Sequence, residues 1–132
     1  MKNLIAQFAS APKKLFLFDG IGAMLSWAIL FLILIPNHQM IGIPAATLKF
    51  LATFPILFAA FDAIVSYLRP KSFKPFINIV IALNVGYCAL TLSHILMFSS
   101  TISWIGAVYF VSEILIILLL VRIEFKVLKK LP

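Results

Sequence analysis

Three of the four acidic residues in this sequence stand inside long apolar runs. Asp19, Asp62 and Glu113 are these three, and a charged carboxyl group at the centre of a bilayer costs about 3 kcal/mol. Such a group is expected to face protein or water rather than lipid. Facing protein or water, it can take up a proton or bind a cation. The three acids are therefore the first candidates for a functional site.

Glu113 is the acid that an ion pair explains least well. It lies in the middle of the apolar run 105–121, and Arg122 is more than two helical turns away. Asp19, in contrast, is near Lys14 along the chain, and Asp62 is about two turns from Arg69. Ion pairing at the membrane interface is thus an alternative to function for Asp19 and Asp62.

The three acids are predicted to lie at similar depths in the membrane. With a rise of about 1.5 Å per residue, Asp19, Asp62 and Glu113 lie about 7, 10 and 13 Å from the cytosolic ends of their helices. Asn84 lies about 15 Å along the third helix, and Tyr109 and Ser112 share the face of Glu113. We predict one polar site in the inner half of the bundle. If its carboxyls converge without a base, at least one is expected to be protonated near neutral pH.

The composition of the chain indicates that these residues are carried by transmembrane helices. The chain has 132 residues, of which 64% are hydrophobic and 11% charged, which is typical of an integral membrane protein. Short connections predict an all-α, up-down-up-down bundle of four transmembrane helices. The predicted parts are an arm at the cytosolic face or interface (1–14), a membrane domain (15–122) and a basic cytosolic tail (123–132). The four helices are predicted at residues 15–35, 44–68, 75–99 and 103–121.

The basic residues predict the orientation of the bundle. Ten of the eleven lysines and arginines precede the first helix, join the second and third, or follow the fourth. Both termini are therefore expected in the cytosol, with these bases near anionic lipids. Lys49 is the exception and is expected to extend toward the outer headgroups. Because the bases flank apolar runs, they do not indicate nucleic-acid binding.

Other chemistry has little support in the sequence. His38 and His94 are the only histidines and the only candidates for a metal site at the outer side, where they could approach each other. No cysteine or acid accompanies them there, so no metal or cofactor is predicted. Cys88 is the one cysteine and is expected to be a small core residue. No phosphate-binding loop, zinc-protease motif or nucleophile elbow is present, and no catalytic residue is predicted.

Four segments resemble a family of small four-helix bacterial membrane proteins that has no assigned function. They are residues 18–23 (FDGIGA), 42–44 (GIP), 87–92 (YCALTL) and 109–114 (YFVSEI). The resemblance implies a location in the bacterial inner membrane and brings no activity with it.

Two functions remain open from the sequence. The first is a small transporter or channel, expected to be oligomeric, in which Glu113 responds to protons or cations with help from Asp62 and Asp19. The second is a structural or assembly subunit that binds a partner membrane protein and whose acids are paired or protonated. A membrane enzyme is a third and less favoured reading. A water-accessible cavity that reaches Glu113 would favour the first function, and dry packing around Glu113 would favour the second.

Overall fold

The computed structural model describes residues 2–132 as an all-helical chain with four helices long and apolar enough to cross a membrane. This confirms the predicted fold class at that level. In chain order the elements are α1 (Lys2–Ser10), α2 (Pro12–Ala28) with a π-helical continuation (Ile29–Leu34), α3 (His38–Ile41), α4 (Ala45–Leu68), α5 (Lys74–Met97) and α6 (Trp104–Lys130).

The helix boundaries follow the sequence signals except at the end of α6. Prolines stand at the starts of α2 and α5, where the missing N–H group is not needed. The fourth helix, predicted to end at residue 121, continues to Lys130. Ile123 and Val127 are buried and continue the inward face of α6, so packing carries the helix beyond the apolar run.

The long helices pack as two pairs, α2 with α4 and α5 with α6, and α2 is not closely packed against α6. An apolar cluster holds the pairs together at each end. The terminal-end cluster includes residues of α1 and of the last turns of α6, and the loop-end cluster lies near α3. The former contains Ile5, Phe8, Leu15, Phe16, Val65, Ile77, Val80, Ile123 and Val127. The latter contains Leu30, Leu34, Ile41, Ile43, Leu48, Leu51, Ala52, Tyr87 and Phe110.

The arm α1 is part of the bundle. Its apolar residues Ile5 and Phe8 are buried, and the helix packs against α6 and α2. The apolar face of this helix is therefore turned to protein. Lys49 on α4 is exposed, as the expectation that it extends away from the bundle requires.

The two connections at the loop end are locked together through Gly42. This residue ends α3 with φ of 85°, a left-handed conformation that favours glycine. The Thr101 hydroxyl donates to the Gly42 carbonyl at 2.9 Å, and the Ser103 N–H donates to the Ile41 carbonyl at 2.8 Å. Ser103 also caps α6, since its hydroxyl accepts from the Gly106 N–H at 3.2 Å. The first and last connections thus fix the relative height of the two helix pairs.

Candidate functional site: a carboxyl cluster and a central cavity

All four acids are buried. Asp19 is 5% exposed, Asp62 1%, Glu113 8% and Glu124 1%. Asp19 lies on α2, Asp62 on α4, and both glutamates lie on α6, about three helical turns apart. A chain with so few acids therefore keeps every carboxyl group away from the surface.

Three of the acids meet around one amide. The Asn84 side chain on α5 donates to Asp19 Oδ1 at 3.3 Å and to Glu124 Oε1 at 3.1 Å. Asp62 faces both Asp19 and Glu124. We call Asp19, Asp62, Asn84 and Glu124 the carboxyl cluster. All four long helices contribute to it, so the amide joins the two helix pairs.

Gly20 allows the close approach that brings Asp62 to Asp19. A Cβ atom at Gly20 would lie 3.3 Å from Asp62 Cβ, so a larger side chain would push α2 away from α4. Both carboxyl oxygens of Asp62 lack a hydrogen-bond partner within residues 2–132. Asp62, which is only 1% exposed, thus has no donor within the described residues.

The bases considered as ion-pair partners point elsewhere. Lys14, Arg69 and Arg122 are exposed, and the charged groups that face Asp62 are themselves acids. Arg69 also has φ of 48° in the left-handed C-cap of α4, beyond the bundle. The carboxyl cluster is therefore held by an amide and by burial.

Asp62→Asn is expected to stabilise the protein by about 1 kcal/mol at neutral pH. The substitution keeps the shape, removes one of three facing carboxyls and supplies an amide that can donate to Asp19. The gain should shrink near pH 4, where carboxyls are protonated in the unfolded chain as well. The free energies of unfolding of wild type and variant, measured with sodium dodecyl sulfate in mixed micelles at both pH values, test this expectation. A loss of stability at both pH values would contradict the absence of a base in this cluster.

A second polar group surrounds Glu113. The Ser26 hydroxyl donates to Glu113 Oε1 at 3.1 Å, and the phenols of Tyr87 and Tyr109 face the same carboxyl. Glu113 Oε2 and the Tyr87 hydroxyl have no hydrogen-bond partner within the described residues. Glu113 thus has one oxygen held by Ser26, and its carboxyl lies beside two phenols.

The Glu113 carboxyl lies at the wall of a cavity of about 300 Å³ between the helix pairs. We call it the central cavity. Asp19 and Asn84 also line it, so it extends from Glu113 to the carboxyl cluster. The remaining walls are mostly apolar and aromatic and include Ile29, Pro55, Phe58, Tyr87, Tyr109, Ile117 and Leu120.

The central cavity opens sideways between α2 and α6. Gly22 and Leu25 on α2 line it and are exposed, as are Ser112 and Ile116 on α6. These two helices are the neighbours that do not pack closely, so their separation forms the mouth. The two apolar clusters lie toward its two ends, and Tyr87 belongs both to the loop-end cluster and to the cavity wall.

Most of the residues predicted from the sequence meet at this cavity. Asp19, Asn84, Tyr109, Ser112 and Glu113 line it, with Ser112 at the mouth. Asp62 does not line the cavity and packs behind Asp19 instead. Five of the six predicted residues therefore line one cavity, and the role of each residue stays a prediction.

The histidines lie outside this site. His38 and His94 each place Nδ1 near a carbonyl of their own segment, at 3.0 Å from Ile35 and 2.8 Å from Leu90. Within residues 2–132, no group of three His, Cys, Asp or Glu side chains is placed to hold a metal ion. Cys88 is buried, with its sulfur 3.9 Å from the Ile114 carbonyl oxygen.

Sequence reasoning missed Glu124 because it follows Arg122 and precedes several lysines. Helical spacing indicates that Glu124 lies on the same face as Glu113. The residues on this face of α6 are all buried: Phe110, Glu113, Glu124 and Val127. Extending the inward face past the apolar run would have added Glu124 to the candidates.

Fold and site together define a class: a small helical chain with four candidate membrane spans around an acidic, laterally open cavity. Comparison with known proteins found no matching family, no matching curated protein and no matching solved structure. The function must therefore be argued from the geometry.

Proposed function

We propose that this chain is a small proton- or cation-responsive membrane transporter, with Glu113 as the responsive group. One observation carries the proposal: a buried glutamate is among the residues that line a cavity inside a bundle of membrane-length helices. An assembly subunit would be expected to pack Glu113 against protein. Polar and ionisable groups within membrane helices commonly mark substrate or proton pathways.

The carboxyl cluster supports this role because it lies at the far end of the same cavity. A proton or cation that leaves Glu113 meets Asp19 next, and Asp19 shares the Asn84 amide with Glu124. Alternate protonation of these carboxyls would give the site two charge states. A change of charge state between two conformations is what a coupled transporter requires.

The proposal includes a location and an orientation. We place the chain in a bacterial inner membrane with both termini in the cytosol, because its bases concentrate at one end. The terminal-end cluster supports this arrangement, since it packs α1 against the last turns of α6. We further propose that these bases bind anionic lipids and that the protein works as a homo-oligomer or with a partner membrane protein.

Glu113→Gln tests the proposal through stability. The apolar cavity favours the neutral carboxyl, whereas the unfolded chain ionises, so wild-type stability is expected to fall as pH rises. For one titrating group, the free energy of unfolding can change by at most about 1.4 kcal/mol per pH unit. Glu113→Gln should lose this pH dependence of stability, and Glu113→Asp should keep it. Thermal unfolding in lipid nanodiscs, scanned over pH and over sodium, potassium and magnesium, measures the difference.

Flux provides the second readout. Proteoliposomes with wild-type protein are expected to dissipate an imposed proton or cation gradient faster than those with Glu113→Gln. If both proteins respond alike to pH and cations and neither carries flux, the transporter proposal fails. The chain would then be better described as an assembly subunit, and its partner should be sought by crosslinking in the membrane.

A further inference from the structure

The charged residues that line the central cavity indicate whether its ligand is a cation or an anion. Two acids, Asp19 and Glu113, line the cavity, and no lysine or arginine does. Glu113 is 8% exposed and keeps Oε2 without a partner. No basic side chain in this lining would balance the charge of an anion, whereas a cation that displaces the proton of Glu113 would pair with its carboxylate.

The walls favour an organic cation over a metal ion. A metal ion needs several oxygen or nitrogen ligands in place of its water, and no suitable group of side chains is present within residues 2–132. The cavity instead offers the rings of Phe58, Tyr87 and Tyr109 close to the carboxyl. Phe58 and Tyr87 meet edge to face with centroids 5.9 Å apart. Aromatic faces beside a carboxylate attract ammonium groups.

The size of the cavity limits the ligand to a small molecule. Its volume of about 300 Å³ is at the lower end of the range for small-molecule pockets. One aromatic ring and one substituted ammonium group fit this space, with the apolar part against Ile117 and Leu120 and the charge toward Glu113.

The route to the cavity runs through the bilayer. The terminal-end and loop-end clusters place apolar side chains toward both ends of the cavity, and the exposed lining residues on α2 and α6 put the mouth between these helices. Gly22 lies at the mouth, and a Cβ atom there would meet nothing within 4 Å. An amphipathic molecule dissolved in the membrane can reach the mouth without crossing the apolar ends.

We propose that the central cavity binds a small organic ammonium ion that enters from the bilayer between α2 and α6. This inference rests on the proposed function and names its substrate class. Glu113 binds the ammonium group, the three aromatic rings surround it, and Gly22 keeps the mouth open.

Phenyltrimethylammonium is a suitable probe. Binding of the tritiated compound to purified protein in nanodiscs of zwitterionic lipid can be followed by scintillation proximity, with benzenesulfonate and tert-butylbenzene as anionic and neutral competitors of similar size. Wild-type protein should bind the probe saturably, and unlabelled probe should compete at least about tenfold better than either analogue. Equal competition by all three would overturn the assignment, and this comparison needs no variant.

Two pairs of variants locate the site. Glu113→Gln should weaken probe binding at least about tenfold, while Glu113→Asp should retain most of it. Gly22→Leu should slow or weaken binding by narrowing the mouth. Gly86→Leu is the matched control, because Gly86 is an exposed helical glycine outside the cavity with equally open space beside it. Unchanged binding in Glu113→Gln or in Gly22→Leu would overturn the proposed site or route.

The result also separates the two proposals. If wild-type protein shows the Glu113-dependent response to pH but no saturable probe binding, the ammonium assignment fails and the proton-responsive transporter stands. If the response to pH and the binding are both missing, both proposals fail.

Discussion

Gly42→Ala is expected to lower the free energy of unfolding by about 3 kcal/mol, one of the two largest effects we predict. Gly42 has a positive φ, which strains any residue with a Cβ atom. The added Cβ would also collide with the Thr101 carbonyl oxygen and approach Ile102 Cα to 2.8 Å. Because these are backbone atoms, relief requires the two loop-end connections to separate.

The matched control is Gly86→Ala. Gly86 lies in α5 with nothing within 4 Å of a new Cβ, so alanine there should stabilise the helix by up to about 1 kcal/mol. Unfolding in sodium dodecyl sulfate, followed by circular dichroism, compares the two variants with wild type. If Gly42→Ala is as stable as Gly86→Ala, the lock between the loop-end connections is not formed in the membrane.

Asn84→Leu is expected to have an effect of similar size, a loss of about 3 kcal/mol near neutral pH. The leucine has nearly the same volume but removes the one amide that donates to both Asp19 and Glu124. Two buried carboxyls would then lack this donor, and at alkaline pH they would repel each other. The loss should therefore be smaller in acid than in base.

Asn78→Leu is the control for this substitution. Asn78 is on the same helix but is exposed, so leucine there should change stability by less than about 0.5 kcal/mol. Unfolding measured for both variants across pH tests the difference. Equal and pH-independent losses would show that Asn84 contributes by packing alone.

The membrane helices were predictable from the sequence because lipid imposes a local requirement. A spanning segment needs about 20 apolar residues with all backbone hydrogen bonds made internally, and hydropathy reports this directly. The predicted spans match α2 with its π-helical continuation, α4 and α5 closely. Helical spacing also puts Pro55, Ala59, Asp62 and Ser66 on one face of α4, and all four are buried.

The end of α6 was less predictable because packing rather than hydropathy sets it. Arg122, Lys126 and Lys129 make the segment resemble a solvated tail, but Ile123 and Val127 belong to the terminal-end cluster with α1, the starts of α2 and α5 and the end of α4. The same packing buries Glu124. A single sequence does not show that an N-terminal arm returns to cover this segment.

The sequence by itself determined that the chain has four membrane-length helices, an acid in three of them and inward faces that carry small or polar residues. Helical periodicity and the cost of carboxyls in lipid are local properties, so one chain is enough to read them.

Only the tertiary structure decided which groups meet: Asn84 between Asp19 and Glu124, Asp62 behind them, and Ser26 at Glu113. The separation of α2 from α6, which leaves the central cavity open, likewise depends on how the helix pairs pack. Pairing between helices depends on their rotation and relative height, and here the lock at Gly42 and the two apolar clusters set both.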